Sequence, residues 1–209
     1  MRIAAPALTP EQTYKLMSGI VVPRPIAWIS SLGPGGKVNL APFSCYTFVS
    51  NTPPMVGVNI GRKAGLRKDT ARNILDHGHF VVNIGDESLL DAMHASAEEH
   101  PPETSEAELL GLEVIAGDAV ATPRLAAVPI SLECRFHSVT PYGETGAEFF
   151  VGEVLVFHIR DGLARDGKID TEQLRPVCRI GGPNYASLGP IVTKRAIRQT
   201  PKSIMTDGQ

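Results

Sequence analysis

The apolar positions of this chain fall into short runs with the period of strands. In the segment ISLECRFHSV, Leu132, Cys134 and Phe136 alternate with charged residues and a histidine. Alternation at every second position predicts a half-buried strand. A turn that begins at Tyr142 follows, and the apolar run EFFVGEVLVFHI comes directly after it. The two segments therefore predict a long antiparallel hairpin.

A second hairpin is predicted within PRPIAWISSLGPGGKVNLAPFS, residues 23–44. Its turn, GPGG at 33–36, can continue neither a helix nor a strand, so the chain must fold back there. The second strand ends in NLAPFS, where a proline donates no backbone hydrogen bond. This end is therefore predicted to leave amides and carbonyls free for a ligand. Strand alternation puts Ile26, Trp28 and Ser30 on one face of the first strand and Ala27, Ile29 and Ser31 on the other.

Helices are predicted between the strands. The run KDTARNILDHG predicts a helix with Asp69 or Thr70 as its N-cap and Gly78 as its stop. Thr9 followed by proline predicts the start of another helix. The remaining helical segments are predicted from the spacing of their apolar residues. In chain order, the other predicted helices are Thr9–Leu16, Asp86–Ala97 and a short turn or helix at Glu106–Leu110.

Further apolar, β-prone runs stand at 45–50, 55–61 and 79–84. The count is then six to eight strands with helices inserted between them, which is typical of a closed or split antiparallel barrel. A Rossmann sheet is disfavoured, because strands and helices do not alternate regularly and no GxGxxG motif follows a strand. The predicted fold class is mainly β with inserted helices.

At 209 residues the chain is expected to form one domain, with a loose C-terminal tail from about residue 196. No segment approaches the ~18 apolar residues of a membrane helix, and the N-terminus lacks the apolar core of a signal peptide. The three cysteines, Cys45, Cys134 and Cys178, are widely spaced and form no CxxC motif. They are interpreted as free buried thiols of a reducing cytoplasm.

Charge changes this picture, because it is unevenly distributed. Residues 21–73 contain seven basic residues against one acid, whereas residues 76–118 contain eleven acids and no lysine or arginine. The acidic block argues against a nucleic-acid-binding surface over the whole protein. The basic block suits a small anionic ligand. Two solvated faces of opposite sign are an equally good reading of the composition.

The best candidate anion site lies at 61–70. Arg62 and Lys63 occupy a glycine-bounded loop, and Lys68 and Thr70 stand at the start of the predicted helix. A helix N-terminus with basic side chains can bind phosphate. If Asp69 were the N-cap, however, it would occupy the same backbone donors. A capped helix with a solvated basic face therefore remains the alternative.

The segment beyond the first turn could hold the edge of a flat ring. Small side chains and peptide groups would meet the ring edge, and Trp28 and Phe43 could form apolar walls, although a lone tryptophan is more often plain core. The predicted ring-edge residues are Asn39, Ala41, Pro42, Phe43 and Ser44.

Hydrolytic and metal chemistry have no support, since GxSxG and HExxH are absent and the six histidines are scattered.

Several segments together resemble a known family. RPIAWISS, NLAPFS, KDTARNI, HFVVNI and the late RIGGPNYASLG follow the order of the flavin reductase family of FMN-binding split-barrel proteins. This family includes flavoredoxin-like proteins and the reductase components of two-component monooxygenases. The resemblance extends from about residue 17 to 191 and implies an FMN-binding split β-barrel, antiparallel and Greek-key-like.

The resemblance also implies a homodimer that binds FMN near the subunit interface. NADH or NADPH would deliver hydride to flavin N5, with no protein nucleophile, and backbone N–H groups near Asn39 to Ser44 would bind the ring edge. The matching flavin contacts are Trp28, Ser30, Ser31, Asn39, Ala41, Pro42, Phe43 and Ser44. The phosphate would fall to Arg62, Lys68 and Thr70 with Asn59, Ile60 and Gly61, the choice among Arg62, Lys63, Arg67 and Lys68 being open, and Tyr185 would close the site.

Three functions fit this resemblance. The first is an NAD(P)H-dependent flavin reductase that passes electrons to a monooxygenase or another acceptor. The second is a flavin-binding electron carrier that a partner protein reduces and that has no NAD(P)H site. The third is a flavin-dependent enzyme acting on an organic substrate, with the acidic 86–113 region shaping its pocket. Fold similarity alone does not separate them.

Overall fold

A computed structural model describes residues 1–197, and the end of the predicted loose tail lies outside the described residues. The helices are α1 (Pro10–Ile20), α2 (Asp69–His77), α3 (Leu90–Ala95), α4 (Glu106–Leu109) and α5 (Thr171–Leu174). The strands are β1 (Arg24–Pro25), β2 (Ala27–Leu32), β3 (Val38–Phe43), β4 (Tyr46–Asn51), β5 (Pro54–Ile60), β6 (Arg62–Lys63), β7 (Leu66–Arg67), β8 (His79–Ile84), β9 (Val114–Ile115), β10 (Arg124–Leu125), β11 (Ile130–Tyr142), β12 (Ala147–Ile159), β13 (Ala164–Arg165), β14 (Lys168–Ile169), β15 (Val177–Arg179) and β16 (Tyr185–Ser187).

Seven strands form one antiparallel sheet in the order β3-β2-β8-β11-β12-β5-β4. The sheet curls around an apolar core, because buried residues of β2, β3, β5, β8, β11 and β12 belong to the same cluster. Within the described residues, the two end strands β3 and β4 do not pair with each other. The barrel is therefore split, and the predicted mainly antiparallel fold with inserted helices is confirmed.

The two predicted hairpins are confirmed. Strand β11 pairs with β12 along its whole length, and β2 pairs with β3. A 3-10 turn over Pro34–Gly36 joins the second pair, and Gly35 has the positive φ of 66° that favours glycine. Local alternation and turn residues therefore sufficed to predict both hairpins.

The two faces of β2 point into two different apolar clusters, and the predicted division of its residues between the faces is confirmed. Ala27 and Ile29 point into the barrel core. Ile26 and Trp28 point into a second cluster, which includes Met93 of α3. This second cluster packs the helices and the loop segments against the outside of the sheet. Trp28 is plain core, with no exposed surface.

Three details differ from the sequence-based predictions. Helix α2 has Lys68 at the N-cap position, so the prediction that Asp69 or Thr70 caps it is wrong. The helix predicted over 86–97 is instead a 3-10 turn at Glu87–Leu89 followed by the short α3. Cys134 is buried, but Cys45 is exposed, so the prediction of buried thiols fails there.

A buried carboxylate organises the loop before β10. Both oxygens of Glu133 accept backbone N–H groups of residues 118–120, at 2.6–2.9 Å, and His158 Nε2 lies 2.5 Å from Oε1. Burial alone would raise the pKa of Glu133, but these hydrogen bonds lower it to about 2. Asp118 lies close enough to Glu133 and His158 for the three side chains to resemble the ligand set of a metal ion. The carboxylate oxygens are already occupied, which favours a role in fixing the loop.

Candidate functional site

A cavity of about 430 Å³ opens between β3, the β6–β7 hairpin, the start of α2 and the loop that follows α3. Strand β3 contributes Asn39, Ala41, Pro42 and Phe43 to its wall. The start of α2 contributes Lys68 and Thr70, so the structure brings four of the five predicted ring-edge residues and two of the predicted phosphate residues into one cavity. The size lies within the ~300–1,000 Å³ range of small-molecule sites.

The edge of β3 is already partly satisfied. The backbone N–H of Leu40 donates to Glu106 Oε2 at 2.8 Å, and Ser105 Oγ donates to the carbonyl of Val38 at 2.8 Å. Alternate residues of an antiparallel strand turn their backbone groups to the same side, so Pro42 is the next residue on this edge and has no N–H to offer. The expectation of free ring-binding amides near Asn39 to Ser44 is therefore wrong at Leu40 and at Pro42.

A buried polar network joins β3 to α2. The Asn39 side chain donates to Thr70 Oγ1 at 2.9 Å and to Ser31 Oγ at 3.2 Å. Asn73 of α2 also donates to Ser31 Oγ at 3.2 Å. All four residues are buried. The network fixes the start of α2 against the strand, and Ser31 is behind the cavity wall rather than in it.

Two further predicted contacts also lie behind the wall. Trp28 Nε1 donates to Ser96 Oγ at 2.8 Å, and Ser30 Oγ donates to the carbonyl of Pro123 at 2.7 Å. Neither Trp28 nor Ser30 has exposed surface. Because Ser96 lines the cavity, Trp28 supports its wall without reaching it.

Most of the basic side chains near the cavity are neutralised. The buried Glu148 accepts from Arg67 at 2.8 Å and lies 3.3 Å from Arg62. The hydrogen bond from Arg67 is the main reason why the pKa of Glu148 is lowered. Lys63 forms an ion pair with Glu99 on the opposite wall. Both arginines are therefore paired with Glu148, and the charge of Lys63 is paired with that of Glu99.

Lys68 is different. Within the described residues its ammonium group forms no ion pair and no hydrogen bond, and it lies 5.7 Å from the centre of the Phe43 ring. The side chain as a whole is exposed, yet the cavity wall partly desolvates the ammonium group. This desolvation, followed by the charge of Lys63, lowers the pKa of Lys68. Lys68 is therefore a cation without a carboxylate at the cavity.

The start of α2 adds backbone donors beside Lys68. No side chain caps the helix, and Asp69 instead pairs with Arg72. The first-turn N–H groups are consequently without a side-chain acceptor. The competition expected between an Asp69 cap and a phosphate does not arise.

The remaining predicted residues do not line this cavity. Ile60 is core, and Gly61 is exposed with open space at the position of a Cβ. The Oδ1 atom of Asn59 is buried without a hydrogen-bond partner. Ser44 Oγ accepts from Arg24 at 3.3 Å. Tyr185 instead contacts His94, whose Nδ1 lies 2.9 Å from its hydroxyl, and the guanidinium of Arg179.

Glu106 is a wall residue that sequence reasoning missed. It follows an N-cap serine and therefore resembles an ordinary first-turn glutamate. Only the tertiary contact with Leu40 reveals that it faces inward. The acidic loop residues Glu98 and Glu99 also line the cavity, in agreement with the reading in which the 86–113 region shapes a pocket.

The fold is a split barrel in which Lys68 and the uncapped start of α2 lie beside one end strand. The flavin reductase like domain matches residues 17–173, and the chain belongs to that family. The uncharacterized protein BH2278 of Halalkalibacterium halodurans is 41% identical over 194 residues, covering 90% of this chain and 93% of that protein.

Two solved structures are similar to the whole fold. Nitrilotriacetate monooxygenase component B from Bacillus cereus superposes with a TM-score of 0.90 and 36% identity, covering 92% of this chain and 98% of that one. The Pseudomonas fluorescens 2-nitrobenzoate 2-nitroreductase NbaA superposes with a TM-score of 0.81 and 29% identity, covering 100% of both chains. Family membership supports flavin-linked oxidoreduction or electron transfer as the class of activity. Among the described residues, no helix combines the length and apolar character needed to cross a membrane.

Proposed function

We propose that the cavity binds FMN and that the protein is an NAD(P)H-dependent flavin reductase. The observation that carries this proposal is the pairing of Lys68 with the uncapped start of α2 at one cavity. A cation next to oriented backbone N–H groups is the arrangement that binds a phosphate monoester. Family membership supplies the flavin part of the proposal.

The donor set fits FMN. Lys68 and the first-turn N–H groups of α2 would hold the phosphate, with Arg62 and Arg67 retained by Glu148. Ala41, Pro42 and Phe43 would provide small or apolar wall for the ring, next to the fixed amide of Asn39. When bound, FMN supplies the hydride-accepting chemistry. The task of these residues is to bind and orient it, and no protein nucleophile is required.

Redox titration tests the reductase proposal. The purified protein is saturated with FMN, its absorbance near ~450 nm is recorded, and NADH or NADPH is added without oxygen. Bleaching by either nucleotide is the expected result. A bound flavin that neither nucleotide bleaches would contradict the reductase and favour the electron carrier. No affinity for added FMN would contradict the proposed site itself.

A flavin-dependent enzyme acting on an organic molecule is the second candidate. The similarity to a nitroreductase and the wall formed by the acidic loop favour it. Turnover separates the two functions. A reductase should consume NAD(P)H with free flavin as its acceptor, whereas the second candidate should need an added organic acceptor such as a nitroaromatic acid.

We also infer a homodimer, as the family resemblance implies. Helix α1 buries none of its residues, and Tyr14, Met17 and Ile20 are 73%, 55% and 70% exposed. Phe48 of β4 and Phe157 of β12 are likewise 72% and 54% exposed. Apolar surface of this kind favours an interface, and a second copy of the chain would cover it. Light scattering should give twice the chain mass, and Phe157→Asp should shift the protein toward monomer.

The proposed electron acceptor is a separate protein, such as a monooxygenase, to which reduced flavin is delivered. The similarity to nitrilotriacetate monooxygenase component B supports this proposal. The free cysteines support a reducing, cytoplasmic setting. If the proposal is right, added monooxygenase should couple NAD(P)H oxidation to substrate hydroxylation, and uncoupled consumption at every enzyme ratio would contradict it.

A further inference from the structure

Glu106 is a buried carboxylate in the cavity wall with one oxygen in use. It is 8% exposed, and its Oε2 accepts the N–H of Leu40 at 2.8 Å. Within residues 1–197, Oε1 has no hydrogen-bond partner and no cation pairs with the carboxylate. The adjacent contacts from Ser105 to Val38 and from Lys37 to Glu108 already hold α4 on β3. Attachment of α4 to the strand therefore does not require the second oxygen.

Oε1 borders the cavity and has no donor among the described residues, so it is free to accept a hydrogen bond from a ligand. Because an ionised carboxylate only accepts hydrogen bonds, the missing partner is a donor. An unpaired negative charge also repels a phosphate. Glu106 should consequently face an uncharged, N–H- or O–H-bearing part of the ligand, while Lys68 attracts the charged part.

We propose that Oε1 of Glu106 accepts a hydrogen bond from the imide N3–H of the flavin ring. This inference rests on the proposed function and deepens it, since it assigns the residue that reads the pyrimidine edge. The oxidised ring has one N–H donor, N3–H, flanked by two carbonyls. Glu106 is anchored to Leu40, between the two wall residues Asn39 and Ala41, where the ring is placed.

The consequence is discrimination against ligands that lack this donor. A flavin methylated at N3 would leave the carboxylate unpaired and would place a methyl group against it. Loss of a charge-assisted hydrogen bond corresponds to roughly 10- to 100-fold weaker binding. Methylation at N3 leaves the ribityl chain and the phosphate unchanged, so the ratio of the two affinities isolates the imide contact.

The experiment measures the dissociation constants of FMN and 3-methyl-FMN by flavin fluorescence for the wild-type protein, Glu106→Gln and Glu108→Gln. Glu108 is the matched control, since it is exposed and pairs with Lys37. The wild type and Glu108→Gln should prefer FMN by roughly 10- to 100-fold. Glu106→Gln should lower the preference to about threefold or less, because its oxygen serves Leu40 and its amide group would face another donor.

The outcomes separate this inference from the proposed function. No binding of FMN by the wild type defeats the proposed function. Binding of FMN and 3-methyl-FMN with equal affinity defeats the imide contact alone. Equal weakening of both ligands by Glu106→Gln would show that Glu106 meets the ribityl chain or only supports the fold, and it also overturns the proposal.

If Glu106→Gln does not fold, Glu106→Asp keeps the charge and shortens its reach. Its preference must fall at least about threefold below that of the wild type, and an unchanged preference overturns the contact.

Discussion

Replacement of Lys68 by methionine tests the phosphate end of the site directly. Methionine keeps an unbranched apolar stem near Phe43 and removes the ammonium group with its charge and its N–H donors. Riboflavin differs from FMN by the phosphate alone, so the ratio of the two affinities reports the phosphate contact. We expect FMN to bind the variant more weakly, while riboflavin binding changes by less than about twofold.

The expected size follows from the surroundings of Lys68. Its ammonium group has no carboxylate to lose and is partly desolvated, so a hydrogen bond to phosphate should contribute about 1.5–3 kcal/mol. This corresponds to roughly 10- to 150-fold in the dissociation constant of FMN. Because the side chain is exposed as a whole, salt should reduce the effect, as the Debye length falls from about 10 Å at 0.1 M to about 3 Å at 1 M.

The pH dependence has a definite sign. Binding of phosphate requires the charged form of Lys68, and the pKa of this group lies below the ordinary value of 10.5. The preference for FMN over riboflavin should therefore be complete near neutral pH and should begin to fall as the pH rises, before it reaches 10.5. In Lys68→Met the ratio should not change over this range.

Isothermal titration of both flavins against the wild type, Lys68→Met and Lys15→Met provides the measurement. Lys15 is a charge-matched control, because it pairs with Glu11 on α1 and does not line the cavity. Equal loss of FMN and riboflavin affinity in Lys68→Met would refute the reasoning, since a contact to phosphate cannot affect a ligand without one. If Lys15→Met weakened FMN binding relative to riboflavin by the same factor, the effect would come from the net charge of the protein and not from a contact with the phosphate.

Two further predictions concern the scaffold. Gly152→Ala should lower the free energy of unfolding by about 1–3 kcal/mol, because a Cβ would lie 2.5 Å from the buried Phe80 ring. Gly189→Ala, in open space, should change it by less than about 0.5 kcal/mol, and urea denaturation compares the two. Glu133→Gln should cost about 2–4 kcal/mol at pH 7. Since the pKa of Glu133 is lowered from 4.5 to about 2, the wild type should lose this advantage as the pH falls through that interval. An equally steep acid loss in the variant would contradict that assignment.

Local patterns predicted the strands well, because alternation and turn residues act within a few positions. The cap of α2 shows where local reasoning fails. Asp69 and Thr70 are both good N-cap residues by type, but each has a competing partner. Asp69 pairs with Arg72, and Thr70 accepts from Asn39, which is 31 positions away. A preference of about 1 kcal/mol is easily outweighed by such contacts.

The site was predictable where its residues follow one another along one strand. Asn39, Ala41, Pro42 and Phe43 line the cavity because they belong to the same stretch of β3. Trp28 was harder to place, since alternation identifies two faces of β2 without revealing which of them meets the cavity. Its side chain points into the second apolar cluster, where it donates a hydrogen bond to Ser96. The position of both arginine side chains depends on Glu148, which lies more than 80 positions later in the chain.

The opposite charges of the two sequence blocks meet across the site and do not form separate faces. Lys63 pairs with Glu99, and Lys37 pairs with Glu108, so the acidic block neutralises cations of the basic block. A uniformly basic cavity would bind polyanions of many kinds. Here, among the described residues that line the cavity, Lys68 is a cation without a carboxylate partner, and Glu106 adds a negative charge to the wall. The charges of such a cavity suit one compact anionic group at the Lys68 end and would repel a second negative group near Glu106. This arrangement matches a ligand with a single terminal phosphate and an uncharged ring.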